Sequence, residues 1–232
     1  MLSTDNKLQG TTMKINHFLQ LIILFLCILW HNACYATPLS IDEAKKWAQN
    51  KGEEIIDILV SEEAKQKQER LNYIMEHDID IEHAKKFAIG KYWRTMNEEQ
   101  KARYDTAFKN YIKSAYQSYD LDIKKGDVTF AINKAEQNEK TVDVFCTIII
   151  KNIEQNVDEA SKGGINVVFA LVKNDGIIQV QDFKIEESSL LISLRQRFYK
   201  MIHEDDDDEI DWFLDDLESA SPDDIINNSP DF

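Results

Sequence analysis

Ile165–Phe183 reads INVVFALVKNDGIIQVQDF, and this stretch decides the fold. Ile165 to Val172 is nearly continuous apolar sequence. Asn174-Asp175-Gly176 follows it, a hairpin signal, because tight turns between twisted strands need the positive φ these residues tolerate. Ile177 to Phe183 is then the returning strand. Upstream, Val128, Phe130 and Ile132 alternate with polar or small residues, and Val142 to Ile150 alternates with Phe145 and Ile149 on its second face. Four strands in meander order predict an antiparallel sheet. Its two central strands are apolar on both faces, whereas a sheet covered on one side needs only one apolar face. Either helices lie on both sides or the sheet walls an internal cavity, and periodicity leaves both readings open.

Working back toward the start, the period lengthens to that of a helix. Ser40 and Glu43 form a capping box opening a helix with Ala44, Trp47, Ala48, Ile55, Ile56 and Leu59. A more polar helix, about Glu62 to Met75, presents Leu71 and Ile74. Asp80 can cap a short helix carrying Ile81, Ala84, Phe87 and Ala88, which Gly90 helps to end. Thr95 and Glu98 read as a second capping box, starting the longest helix, with Tyr104, Phe108, Tyr111, Ile112 and Tyr116 along one stripe. After the sheet, a helix over about Ser189–His203 turns Leu190, Leu191, Leu194, Phe198 and Ile202 inward. A short amphipathic piece with Ile210, Phe213, Leu214 and Leu217 follows an acidic run. Helices first, strands later and one closing helix make an α+β domain, not a doubly wound one.

Composition gives the address. From Met13, read as the true start, there is a sparse basic segment with Lys14, an apolar run Phe18–Trp30, and small residues at Ala33 and Ala36. That run is short of the roughly 20 residues a bilayer span needs and reads as a signal peptide cleaved after Ala36. Cys34 raises a lipoprotein alternative, but His31 stands where an aliphatic residue is wanted. Export would leave Cys146 as the sole cysteine, on a strand and read as a small buried hydrophobe. From Glu204 onward there are 13 acidic residues and no Lys or Arg, whereas residues 37–203 are nearly balanced, with 28 acidic and 25 basic. A neutral body with an acidic tail argues against nucleic acid, which needs a basic face, and against anionic membrane held by bulk charge. The domain layout is therefore a signal peptide over 1–36, a folded domain over 37–203, and an acidic tail over 204–232.

Two motifs remain. FAIGKYWR, Phe87 to Arg94, begins seven residues after Asp80, and DFKIEESSLLISLRQRF runs from Asp182 to Phe198. With Ala84, Ala88, Gly90 and the Trp93-Arg94 pair, then Glu99, Gln100, Phe108, Tyr111 and Tyr116, then Gly176, Asp182, Glu186, Ser189, Leu190, Arg195 and Phe198, the chain resembles the MlaC-type toluene-tolerance family. It departs from that pattern at Ile89 (usually Leu), Ile178 (usually Trp) and Glu187-Ser188 (usually Gly-Val). The Glu187 departure bears on a turn where only Gly takes positive φ freely.

The resemblance implies a soluble periplasmic carrier of phospholipid with no chemistry and no cofactor of its own. Its partners would be an outer-membrane lipoprotein complex and an inner-membrane ABC transporter with an MCE-domain ring. Its fold would be a helical layer on an NTF2-like antiparallel sheet, with acyl chains between. Bare chains cost about 0.8 kcal/mol per methylene in water, so two chains of ~15 carbons cost on the order of 24 kcal/mol, and such a carrier must cover them. Candidate lining residues are Tyr116, Phe130, Val144, Ile148, Val167, Phe169, Leu191 and Phe198. Arg94 and Arg195 could meet a phosphate by bidentate hydrogen bonds or form structural ion pairs, Arg195 with Asp182 for instance. Asp182 caps or pairs on one reading, and on another serves a small cavity enzyme. A carrier of lipoproteins is the other binding-class alternative. No zinc, P-loop or serine-hydrolase motif is present, and the run Glu204–Glu209 lacks the glycine and alternation of a calcium loop.

Overall fold

Asp175 and Gly176 both take positive φ, 49° and 85°, and join β3 (Ile165–Asn174) to β4 (Ile177–Ile185) in a two-residue hairpin. That primed geometry matches the twist of the flanking strands. The computed structural model describes residues 38–60, 64–117, 126–150, 164–204 and 210–220. The expected signal peptide and most of the acidic run lie outside the described residues. β1 (Val128–Gln137) and β2 (Val142–Ile150) complete the meander, all neighbours antiparallel.

The sheet has a fifth strand where four were expected. β5 is only Ser188–Ser189, pairing with β4 through Lys184 and Ile185. Glu186 and Glu187 make the turn at φ 44° and 73°. Glu186 is braced: its carboxylate accepts from the Asn166 backbone N–H at 2.6 Å, and its own N–H donates to Asn166 O at 2.9 Å. Glu187 holds the conformation that glycine adopts without strain, at about 1–2 kcal/mol for an L residue. Glu187→Gly is therefore expected to raise stability by about 1 kcal/mol, read as a higher denaturant midpoint with unchanged slope.

Ser40 does cap α1 (Ile41–Leu59), with the reciprocal bonds of a capping box at 3.1 and 3.3 Å. α1 lies on β1 and β2, and Gly52 permits it: a Cβ there would fall 2.5–2.8 Å from the Phe130 ring. α2 (Ala64–His77) is followed by α3 (Ile81–Ile89), capped by Asp80, whose Oδ1 accepts from His83 N at 3.0 Å. A 3₁₀ turn, Gly90–Arg94, displaces the next cap. Thr95 is spent donating to Tyr92 O, so Asn97 and Gln100, not Thr95 and Glu98, form the reciprocal pair at 2.9 and 3.0 Å ahead of α4 (Glu98–Gln117).

α5 (Leu190–Glu204) closes over β4 and α3. α6 (Ile210–Ser219) is not an appendage of the acidic tail: Phe213, Leu214 and Leu217 are buried with Tyr104, Phe108 and Phe198. Arg103 on α4 holds it by bonds to Asp215 at 2.6 Å and Glu218 at 2.9 and 3.0 Å. Two cores result, one among the helices and one between α1 and the sheet. The second sheet face is not a second core among the described residues: it carries Asp143, paired with Lys184 at 3.3 Å, and an Ile149 that is 43 % exposed.

Candidate functional site

The alternation of β4 breaks at Gln181, which has no partner in the register: Asp182 pairs with Ala170 and Val180 with Leu171. A bulge of this kind re-aims the side chains around it. Val180, Gln181, Asp182 and Phe183 all line one cavity of about 420 Å³, set where the two cores meet. α1 presents Trp47, Lys51 and Ile55 to it, one helical turn apart, α2 adds Leu71, Ile74 and Met75, and Asp78 follows directly after α2. Ile81, Ala84, Phe108 and Ile112 form another wall, and Phe169 with Leu190, Leu191 and Leu194 the last.

Backbone pairing fixes this shape. Val180 N donates to Asp78 O at 2.7 Å and Asp80 N donates to Val180 O at 2.9 Å, so the α2–α3 junction docks on the edge of β4. Asp182 Oδ1 accepts from Leu191 N at 3.2 Å, which starts α5 beside the cavity. The charged residues on the wall are Lys51, Asp78 and Asp182. Burial alone would lower the Lys51 ammonium, but Asp78 at 2.7 Å and Glu54 at 2.6 Å outweigh it and hold its pKa above the ordinary value. The rest of the wall is apolar but for Gln181. At roughly 30 Å³ per methylene, near the share of a water molecule in its liquid, the space suits about 14 methylenes.

Of the residues expected to line a cavity, Phe169 and Leu191 do so, and Asp182 stands beside them. Phe130, Val144, Ile148 and Val167 belong to the core under α1, and Phe198 to the helical core. The side chain of Tyr116 lies outside the described residues. Arg94 is exposed at the end of the 3₁₀ turn. Arg195 stacks on Phe87 and Tyr199 at 5.2 and 5.1 Å, donates to Tyr199 Oη at 3.2 Å, and makes no ion pair with Asp182 among the described residues. Gly90, at φ 57°, makes room for that Tyr199 hydroxyl, which accepts from Lys91 N. Cys146 is 1 % exposed, and burial pushes its thiol up to about 12, so it is not a nucleophile at neutral pH. The lining from α1 and α2 was missed, although a lysine within the apolar row Trp47–Lys51–Ile55 was a visible signal.

Among curated proteins nothing matches. The fold is similar to that of a phospholipid-binding protein from Ralstonia solanacearum, solved in complex with a phospholipid, with a TM-score of 0.57 and 14% identity over 74% of this chain and 92% of that one. Residues 49–219, which run from α1 through α6, match the family described as MlaC protein, and the chain belongs to that family.

Proposed function

We propose that this protein is a periplasmic phospholipid carrier. Its NTF2-like body would shuttle lipid between an outer-membrane lipoprotein complex and an inner-membrane ABC transporter with an MCE-domain ring, which maintains outer-membrane asymmetry. Residues 1–36 act as its cleaved export signal, and it carries no chemistry of its own. The observation that carries this reading is the cavity between α1–α2 and the bulge of β4, whose wall is almost wholly apolar. Family membership and the phospholipid in the Ralstonia relative support the same assignment. Covering about 14 methylenes offsets on the order of 11 kcal/mol of exposure cost, the share of one of the two acyl chains, so the cavity as it stands accounts for one chain of the lipid.

The test is native mass spectrometry of the full chain, expressed with export and recovered from bacterial periplasm without detergent. The expected result is a chain shortened by cleavage after Ala36 that carries stoichiometric phospholipid. A chain that emerges empty and takes no lipid from vesicles overturns the carrier reading.

A further inference from the structure

Met75, Ile79, Ile81 and Ile112 line a second cavity, of about 650 Å³, as well as the apolar one. These four apolar side chains are the partition between the two spaces. Beyond it the wall is polar. Lys109, Asn110 and Lys113 come from α4, one turn of helix, and Asn72 and Glu76 come from α2, also one turn. At the base, Asp80, Asn174 and Gln179 are occupied with each other and with the backbone: Asp80 Oδ2 accepts from Asn174 at 3.1 Å, and Gln179 donates to His77 O at 3.2 Å. Glu82 on α3 also lines the space and pairs with Lys85 at 2.5 Å and Lys86 at 3.8 Å, so the charges that remain for a ligand are Lys109 and Lys113 on α4 and Glu76 on α2. Lys113 and Glu76 are exposed and have no charged partner among the described residues, and Lys109 shares Asp105 with Lys85.

We infer that this polar cavity is the headgroup chamber of the carrier, and that it selects a zwitterionic phosphodiester of the phosphoethanolamine kind. The inference rests on the carrier reading above. The phosphate lies against Lys109 and Lys113 on α4, where Asn110 adds an amide donor, and the ammonium turns to Glu76 on α2. An amphiphile with its chain in the apolar cavity crosses the shared partition and meets both charges at once. A singly anionic headgroup without an ammonium leaves Glu76 facing it unpaired, which disfavours it.

The test loads the full chain from vesicles of equal phosphatidylethanolamine and phosphatidylglycerol with matched chains, and reads the bound ratio by mass spectrometry. The wild-type protein is expected to favour phosphatidylethanolamine about fivefold, the effect of one partly screened ion pair. Glu76→Lys is expected to reverse that preference. Lys113→Glu is expected to reduce uptake of both lipids about fivefold while leaving uptake of a long-chain alcohol probe unchanged. Both sites are exposed, so thermal melting should be unaltered. A wild type that loads lipid with no headgroup preference, or variants that change neither ratio nor uptake, would overturn the chamber and leave the carrier standing. Failure of the wild type to load any lipid removes both. Glycerophosphoethanolamine, which has no chains, is expected not to bind at millimolar concentration; saturation by it would overturn a lipid as the source of the headgroup.

Discussion

Replacing Leu191 and Leu194 together by Trp is expected to cut lipid loading by about three orders of magnitude while the domain stays folded. Both leucines are half-buried, lie one turn apart on α5 and line the cavity, so the larger rings have a void to enter. Two indoles take up the room of roughly five methylenes beyond the leucines they replace. At about 0.8 kcal/mol for each displaced methylene that is ~4 kcal/mol, and each 1.4 kcal/mol is tenfold in affinity. The measurement is transfer of a fluorescent phospholipid from vesicles to the protein, with far-UV circular dichroism and a cooperative melt as the check on folding. The paired variant, Leu191→Ala with Leu194→Ala, enlarges the cavity and should keep or increase loading. Normal loading by a folded double-Trp protein would mean that lipid sits elsewhere.

The sheet was legible because its signals are local: an Asn-Asp-Gly turn and a period of two. β5 was not, since two serines have no period and the Glu186-Glu187 turn uses residues that do not advertise positive φ. The start of α4 shows the ambiguity of short motifs. Thr95/Glu98 and Asn97/Gln100 both fit a capping pattern, and only the 3₁₀ turn through Arg94 decides between them. Alternation puts Phe130, Val144, Val167 and Phe169 on one face, but because both faces of the central strands are largely apolar it does not say which face meets the helices. Which of them touches packed helix and which touches empty space depends on where α1 crosses. It covers β1 and β2 and leaves the bulged part of β4 open. Gly52 continues the buried small-residue row of Ala44 and Ala48 on α1, and its own meaning appears only when Phe130 is seen against it. The broken alternation at Gln181-Asp182 was visible in the sequence, but a bulge and a strand end look alike there.

Phe198→Ala is expected to cost about 3–5 kcal/mol of stability, the range for deleting a buried aromatic ring. Phe198 is fully buried at the centre of an aromatic cluster. Its ring meets Tyr104, Phe108, Tyr111 and Phe213 edge-on, with centroids 6.3, 6.1, 5.6 and 5.2 Å away. Such pairs contribute beyond the area they bury, and no one neighbour can collapse into the gap without leaving the others. Because a domain has only about 5–15 kcal/mol in total, the variant should be marginal, with α6 loosened first through the lost Phe213 contact. Phe169 makes the contrast. Its ring touches Phe130 and Phe183 but also faces the cavity, so Phe169→Ala should cost less stability and change lipid uptake more. Denaturant midpoints and vesicle transfer, measured on both variants at a temperature where each is folded, separate the two roles. A cost below about 1 kcal/mol for Phe198→Ala, or a lipid defect in it equal to that of Phe169→Ala, would put Phe198 on the cavity wall and redraw the boundary between core and site.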